Sequence, residues 1–231
     1  MRVRKVVRLH FRGIACDYDR TLANEGRVDP ETLDALRRGR ASGHKMVLIT
    51  GRPLDDLRTL FPDLPVFDMV VAENGAVLLD PASGLEQSLC TSPPAGFLEL
   101  LRARGVPFTV GKRVVATVRP HEIDVLELVK QMKLGLDVVF NRESVMVLPS
   151  GIDKGTGLMA ALVELGIAPA ETVGIGDAEN DLPFLRLCGF SVAVANAIDS
   201  LKEQVDLVTC AKYGAGAREI IDRVVAATSL R

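Results

Sequence analysis

The chain has almost no net charge, few cysteines and no long apolar run. Its 231 residues include 28 Lys or Arg and 30 Asp or Glu, a formal net charge of −2. No global field of one sign therefore argues for nucleic acid or an anionic membrane surface, and any anion site has to be local. Cys16, Cys90, Cys188 and Cys210 lie far apart with no CxxC pair. That spacing suggests neither a zinc site nor a disulfide framework, and a reducing cytoplasm is the default. His10, His44 and His121 are scattered and are expected to be exposed. Met1-Arg2-Val3-Arg4-Lys5 is basic like the start of an export signal, but Arg8 and Arg12 interrupt the apolar segment that would have to follow, so neither export signal nor membrane span is read. Repeats and low-complexity tracts are lacking. Two nucleotide signatures are lacking too: Gly174-Ile175-Gly176 has no third glycine, and Gly105 to Lys112 has one residue too many for a P-loop and no following Ser or Thr.

What is present is organised around Cys16-Asp17-Tyr18-Asp19-Arg20-Thr21-Leu22, at the end of the apolar run Gly13-Ile14-Ala15-Cys16. Two carboxylates one residue apart, just past a run apolar enough to be a buried parallel strand, stand where open α/β sheets bind ligands. In a regular strand Asp17 and Asp19 would point to one side and repel each other, and a divalent cation is the simplest remedy. Taken alone, the stretch reads equally well as a strand and a polar turn in which Asp19 caps the next helix.

Upstream, Val7, Leu9 and Phe11 alternate with Arg8, His10 and Arg12, the pattern of an edge strand or ordered extension, with an unstructured leader as the other reading. Downstream, Asp29-Pro30-Glu31 opens a helix stopped by Gly43. Met46-Val47-Leu48-Ile49 is a second strand ending in Thr50-Gly51-Arg52-Pro53, where a second helix starts. Met69-Val70-Val71-Ala72 is a third strand closed by Glu73-Asn74-Gly75. This grammar is that of a doubly wound, Rossmann-like parallel sheet. It breaks at Asp80-Pro81-Ala82-Ser83-Gly84 and resumes at Asp153-Lys154-Gly155, continuing through the strand Thr172–Gly176 and its trailing Asp177-Ala178-Glu179-Asn180-Asp181, then strands at 191–194 and 206–208. Between the breaks, helix, hairpin, helix, hairpin spells an α+β insert. The expected organisation is residues 1–82 as the first part of the core, 83–150 as the inserted unit and 151–231 as the second part.

In a parallel sheet the strand tips bring Asp17, Asp19, Thr50 and Asp177 to one edge, with Lys154 at a helix start nearby. Each has a bland alternative: Thr50 and Asp177 as helix caps, Lys154 as a solvated charge. Together they form an unusual set for a packed core. A cation and a phosphate would satisfy all of them at once.

The chain resembles a haloacid dehalogenase superfamily phosphatase over most of its length. Asp-x-Asp-x-Thr is matched by Asp17 to Thr21, the strand-end threonine by Thr50, the isolated lysine by Lys154, and Gly-Asp-x-x-x-Asp by Gly176, Asp177 and Asp181. The insert's order is similar to the type C2B cap of the Cof-like, type IIB branch, which includes phosphoglycolate, sucrose-phosphate and mannosyl-phosphoglycerate phosphatases, and Glu73-Asn74-Gly75-Ala76 strengthens the comparison. The resemblance implies a small phosphorylated metabolite as substrate and Mg²⁺ as cofactor. It implies Asp17 as nucleophile and Asp19 as the acid that protonates the leaving oxygen and then activates water. Asp17, Asp177 and the Asp19 carbonyl would hold the metal, while Thr50, Gly51 and Lys154 bind phosphate. Asn180 and Asp181 stand one step out, orienting Lys154 or metal-bound water.

The charges support those roles. Like charges about 4 Å apart at an effective dielectric near 20 repel by roughly 4 kcal/mol, so a bare carboxylate cannot approach a phosphate dianion without cations. Asp19 has to carry a proton first, and Asp17 and Asp177 as neighbours would favour it. Arg52, Glu73 and Asn74 are weaker candidates for substrate specificity; for these, and for Arg142 and Lys112, solvated surface positions are expected unless they face Asp17. The chain departs from the family pattern at Arg20, where glycine is usual, and with Asp19 and Thr21 intact, activity is expected to survive. The insert is expected to be a mobile cap closing over Asp17. Two rival functions use similar groups: a phosphomutase with the same phosphoaspartyl intermediate, and a receiver-like signalling module. A receiver needs neither Asp19 nor a cap.

Overall fold

Gly13 to Asp17 is buried at every position, as a strand covered on both faces must be. The computed structural model describes residues 11–229. Val7, Leu9 and His10 lie outside the described residues. Phe11 lies within them and packs 6.1 Å from Phe190, ring to ring, and the Arg12 N–H reaches the Glu171 carbonyl.

The elements follow as β1 (Gly13–Asp17), α1 (Pro30–Ala41), β2 (Lys45–Ile49), α2 (Leu54–Leu60), β3 (Met69–Ala72), β4 (Val77–Leu79) and β5 (Glu86–Ser88). Then come α3 (Ala95–Ala103), β6 (Thr109–Val110), β7 (Val115–Val118), α4 (Glu122–Met132), β8 (Leu136–Asn141) and β9 (Ser144–Pro149). The chain closes with α5 (Lys154–Leu165), β10 (Thr172–Gly176), α6 (Leu182–Leu185), β11 (Phe190–Ala193), α7 (Asp199–Lys202), β12 (Leu207–Val208) and α8 (Tyr213–Ser229). The large sheet has the order β12-β11-β10-β1-β2-β3-β4-β5, parallel from β12 to β3 and antiparallel at β4 and β5. The order runs outward in both directions from the β1–β10 pair, which places a crevice at the strand tips there.

Alternation along each strand sorts side chains into two layers. Ile14, Cys16, Met46, Leu48 and Val70 join Leu36, Ala217 and Ile221 of α1 and α8 on one face. Ala15, Val47, Ile49 and Val71 join Leu158, Leu162 and Phe184 of α5 and α6 on the other. Each fully buried aliphatic or aromatic side chain of this kind contributes about 1.5–3 kcal/mol relative to exposure. Local signals set the ends: Asp29 caps α1 through the Thr32 N–H, with Pro30 in the first turn, and Asp153 and Thr156 form a reciprocal capping box on α5.

A second sheet, β6-β7-β9-β8, carries α3 and α4 on one face through Phe97, Leu101, Val125, Leu128, Val115, Val145 and Val147. Its opposite face turns Val114, Met146 and Leu148 into the main core. This is the helix–hairpin–helix–hairpin order expected from the sequence. The expected boundary at 83 needs correction, because β5 lies beyond it and pairs with β4 in the large sheet. His44 is a second correction: it is buried, held between the hydroxyls of Ser42 and Thr228.

Candidate active site

β1 ends at Asp17, and the next turn folds on itself, with the Leu22 and Ala23 N–H groups both donating to the Tyr18 carbonyl. Within it Arg20 has φ +64, a left-handed conformation that suits glycine better than arginine. Arg20 is held there by its N–H donating to the Ala23 carbonyl at 2.8 Å and by Asn196 Nδ2 donating to its own carbonyl at 2.8 Å. The local backbone demand that explains the usual glycine is thus met by arginine. The same turn sends Asp17 and Asp19 to different partners, which corrects the expectation that they repel across one volume.

Asp17 Oδ1 accepts from Lys154 Nζ at 2.6 Å, and Asp181 Oδ1 accepts from the same nitrogen at 2.6 Å. Lys154 begins α5 and is 1% exposed. Burial alone would lower its pKa; Asp17 and Asp181 override that and the net shift is upward, so the ammonium is firmly charged. The other oxygen of Asp181 accepts the main-chain N–H groups of Asp177 and Ala178, which locks the loop after β10. Oxygens of Asp17, Asp177 and Asp181 lie within 4.8 Å of one another, a group able to hold a metal ion. Burial and then the Asp181 charge push the Asp17 carboxyl up, and the same two causes, in that order, raise Asp177 to about 6. Lys154 is paired with two of these carboxylates, Asp17 and Asp181.

Those donors fit a hard divalent cation. The set is all oxygen and buried. Among the described residues no N–H is bonded to the Asp19 carbonyl. Asp181 already spends both oxygens on Lys154 and on two N–H groups, so Asp17 and Asp177 are the better ligands of the three and Asp181 the better positioner.

Asp19 faces Arg52 instead: Nε to Oδ2 and NH2 to Oδ1, both at 2.7 Å. This brings Arg52 into the site rather than onto a solvated surface. Thr50 is fully buried; its Oγ1 accepts the Arg52 N–H and its carbonyl accepts the Asn74 N–H. Gly51 lies under the second sheet, with Met146 Sδ 3.3 Å from where a Cβ would project. Asn74 and Asn180 are bonded to each other at 3.2 Å, and Asn74 Nδ2, Asn180 Oδ1 and Thr21 Oγ1 are buried without partners.

Glu73 and Asn74 are buried, not solvated. The Glu73 carboxylate accepts the main-chain N–H groups of Lys112, Arg113 and Val114 at 2.7–3.1 Å, fastening the β6–β7 turn to the large sheet. Gly111 permits this approach, since a Cβ there would stand 2.7 Å from the Glu73 carboxylate. Gly75, at φ +106, lets the turn that carries Glu73 lie against the start of α5, where a Cβ would meet the Asp153 carbonyl at 1.9 Å. The Lys112 side chain pairs with Glu86. Arg142, at the β8–β9 tip, reaches Asp177 Oδ2 at 2.9 Å, and Arg20 Nε lies 3.5 Å from the same oxygen. Sequence reasoning undervalued Glu73 and Arg142 because their partners lie 39 and 35 residues away; the one available signal was their position at turns facing the strand tips.

A profile described as haloacid dehalogenase-like hydrolase matches residues 14–90 and 114–221. The unmatched stretch between holds α3 and β6. Phosphoglycolate phosphatase 2 of Saccharolobus solfataricus is 31% identical over 218 residues, covering 92% of this chain and 91% of its own length. The phosphoglycolate phosphatase of Haloarcula marismortui is 33% identical over 218 residues, covering 89% and 93%. In fold, the chain is similar to a haloacid dehalogenase-like hydrolase from Bacteroides thetaiotaomicron, with TM-score 0.81 at 21% identity, covering 93% of this chain and 99% of that one.

Proposed function

The chain belongs to the haloacid dehalogenase-like hydrolase family, and from that premise we propose that it is a Mg²⁺-dependent phosphatase that hydrolyses a small phosphorylated metabolite, a phosphoglycolate-like acid or a sugar phosphate, through a phosphoaspartyl group on Asp17. The observation that carries the proposal is the buried Lys154 ammonium bridging Asp17 and Asp181 at 2.6 Å each, beside Asp177 at the strand tips. An oxygen of Asp17 attacks phosphorus while the bond from phosphorus to the ester oxygen breaks. Asp19 gives the leaving oxygen its proton and then takes one from the water that releases phosphate. For that, Arg52 has to release one of the two Asp19 oxygens it holds. Lys154 and the Thr50–Gly51 tip receive the phosphoryl oxygens, and Asp181 keeps Lys154 in place. A divalent cation bound by Asp17, Asp177 and the Asp19 carbonyl would neutralise charge on the phosphoryl group.

Residues 83–150 supply the cover, less the β5 strand that belongs to the large sheet. Met146 above Gly51 and Arg142 beside Asp177 leave room for a small ester rather than a phosphoprotein, and the cap selects among such esters. No helix of the described residues is long and apolar enough to cross a membrane, and the four cysteines are free, in keeping with a cytoplasmic enzyme.

The test is a panel of phosphorylated acids and sugars with and without Mg²⁺. Release of inorganic phosphate that stops with chelator and returns with Mg²⁺ is the expected result. A phosphoryl group that ends on a second substrate oxygen would indicate a mutase, and a long-lived phosphoaspartate without turnover a receiver.

A further inference from the structure

The cations around the strand tips are not equally committed. Arg52 has two donors on the two oxygens of Asp19. Lys112 is paired with Glu86 and Lys154 with Asp17 and Asp181. Arg142 and Arg20 share a single carboxylate, both reaching Oδ2 of Asp177. Asp177 therefore has two guanidinium groups on it, while Lys154 alone serves both Asp17 and Asp181. Arg20 is anchored from the core, its carbonyl held by Asn196 and its guanidinium 5.9 Å from the Tyr213 ring centroid. Arg142 is borne by the cap, at φ +55 on the turn between β8 and β9. Its side chain makes one hydrogen bond among the described residues, through NH2 to Asp177. The remaining donors of a rigid planar fork are therefore available to a second planar anion.

We propose that Arg142 is a specificity-determining residue: its guanidinium receives the carboxylate of a short phosphorylated acid whose phosphoryl group is held at Asp17. The inference rests on the phosphatase reading above and narrows the substrate class within it to acids of two or three carbons. The size limit follows from position. Arg142 is one ion-pair length, 2.9 Å, from Asp177, and an Asp177 oxygen lies within 4.8 Å of one from Asp17, so the carboxylate has to sit a few bonds from phosphorus.

Two esters of one length separate charge recognition from size: phosphoglycolate, and 2-hydroxyethyl phosphate, in which a hydroxymethyl group replaces the carboxylate. The native enzyme should favour phosphoglycolate in kcat/KM by roughly ten- to a hundredfold, the range of a hydrogen bond to a charged group. Arg142→Gln should bring that ratio to within about threefold, mainly through KM for phosphoglycolate, and Arg142→Lys should restore only part of it because an ammonium does not offer the fork. Calorimetric binding of the two esters to Asp17→Asn, with and without Arg142→Gln, should show the same change in Kd without turnover. If Arg142→Gln lowers both esters equally, or neither, Arg142 only steadies Asp177 or the cap, and the inference is overturned while the phosphatase reading stands. Discrimination lost in Arg20→Gln but kept in Arg142→Gln overturns it as well, as does a native enzyme indifferent to the carboxylate. A native enzyme that releases phosphate from neither ester nor from any member of the wider panel overturns the phosphatase reading itself, and the inference with it.

Discussion

Asp17 Oδ1 and Lys154 Nζ stand 2.6 Å apart although 137 residues separate them in the chain. Lys154 is the only fully buried cation beside three carboxylates among the described residues. Removing it leaves the buried Asp17 and Asp181 carboxylates without the cation they share. Lys154→Met should cost about 3–5 kcal/mol, read as a lower denaturant midpoint with an unchanged slope. Adding Asp181→Asn should recover part of the loss, with a coupling of about 1–3 kcal/mol. Simple additivity of the two substitutions would show that the triad does not act as a unit.

Asp17→Asn should abolish turnover, by roughly 10³-fold or more, while leaving the melting temperature unchanged or higher, because it removes one charge from a cluster in mutual repulsion. Asp19→Asn should be nearly as damaging yet accumulate label on Asp17 under substrate, since the base for the second step is gone. Mass spectrometry that finds the phosphoryl group on another residue would sink the scheme.

Glu73→Gln should loosen the β6–β7 turn. An amide can place an oxygen toward only some of the three N–H groups now bonded to the carboxylate, and its NH2 then faces another donor. The cost should be about 1–3 kcal/mol, and hydrogen exchange at Lys112, Arg113 and Val114 should accelerate while β1 and β10 keep their protection. Acceleration across the whole molecule would mean that Glu73 stabilises the global fold rather than the join between sheets.

His44 ties the end of α1 to α8 through Ser42 and Thr228. Burial pushes its pKa below the ordinary 6.5. A base depressed in the folded state binds fewer protons there than in the unfolded chain, so its contribution to stability is fully present above about 6.5 and is lost as pH falls toward the folded value. Stability should therefore rise with pH through that window, and His44→Gln should flatten the rise. An unchanged slope in the variant would assign the pH dependence to other groups.

The strand tips were legible because apolar runs with β-branched residues end in polar punctuation, and Asp17, Thr50 and Asp177 stand at such ends, with Lys154 at a helix start marked by Asp153. The insert's two hairpins were legible as paired short apolar runs, 108–110 with 114–118 and 137–140 with 144–148. What escaped was set by pairing across the chain. The Asp19–Arg52 clamp depends on how the turn after β1 swings out of the strand, which no period in the sequence records. The Glu73 carboxylate finds its partners on a turn of another sheet, and nothing local marks a glutamate that will bind main-chain N–H groups rather than water. β5 escaped for a related reason: Glu86-Gln87-Ser88 is polar and mostly exposed, so its membership of the large sheet shows only when β4 is beside it. His44 looked like one polar residue in a turn because the α8 hydroxyl that covers it lies 184 residues later.

The placement of the insert has a consequence for how the protein is made. β1 takes β2 along one edge and β10 along the other, with Gly13 opposite Thr172. On a ribosome, the sequence from β2 through the whole insert emerges before β10 exists, and at about 5–20 residues per second that delay lasts on the order of ten seconds or more. Throughout that interval the central strand of the finished sheet is an open edge with unpaired N–H and C=O groups, while the second sheet, built from neighbours in sequence, already has all its strands. The second sheet can thus be complete before the large one, and the open β1 edge is where a nascent chain of this protein would most need a chaperone.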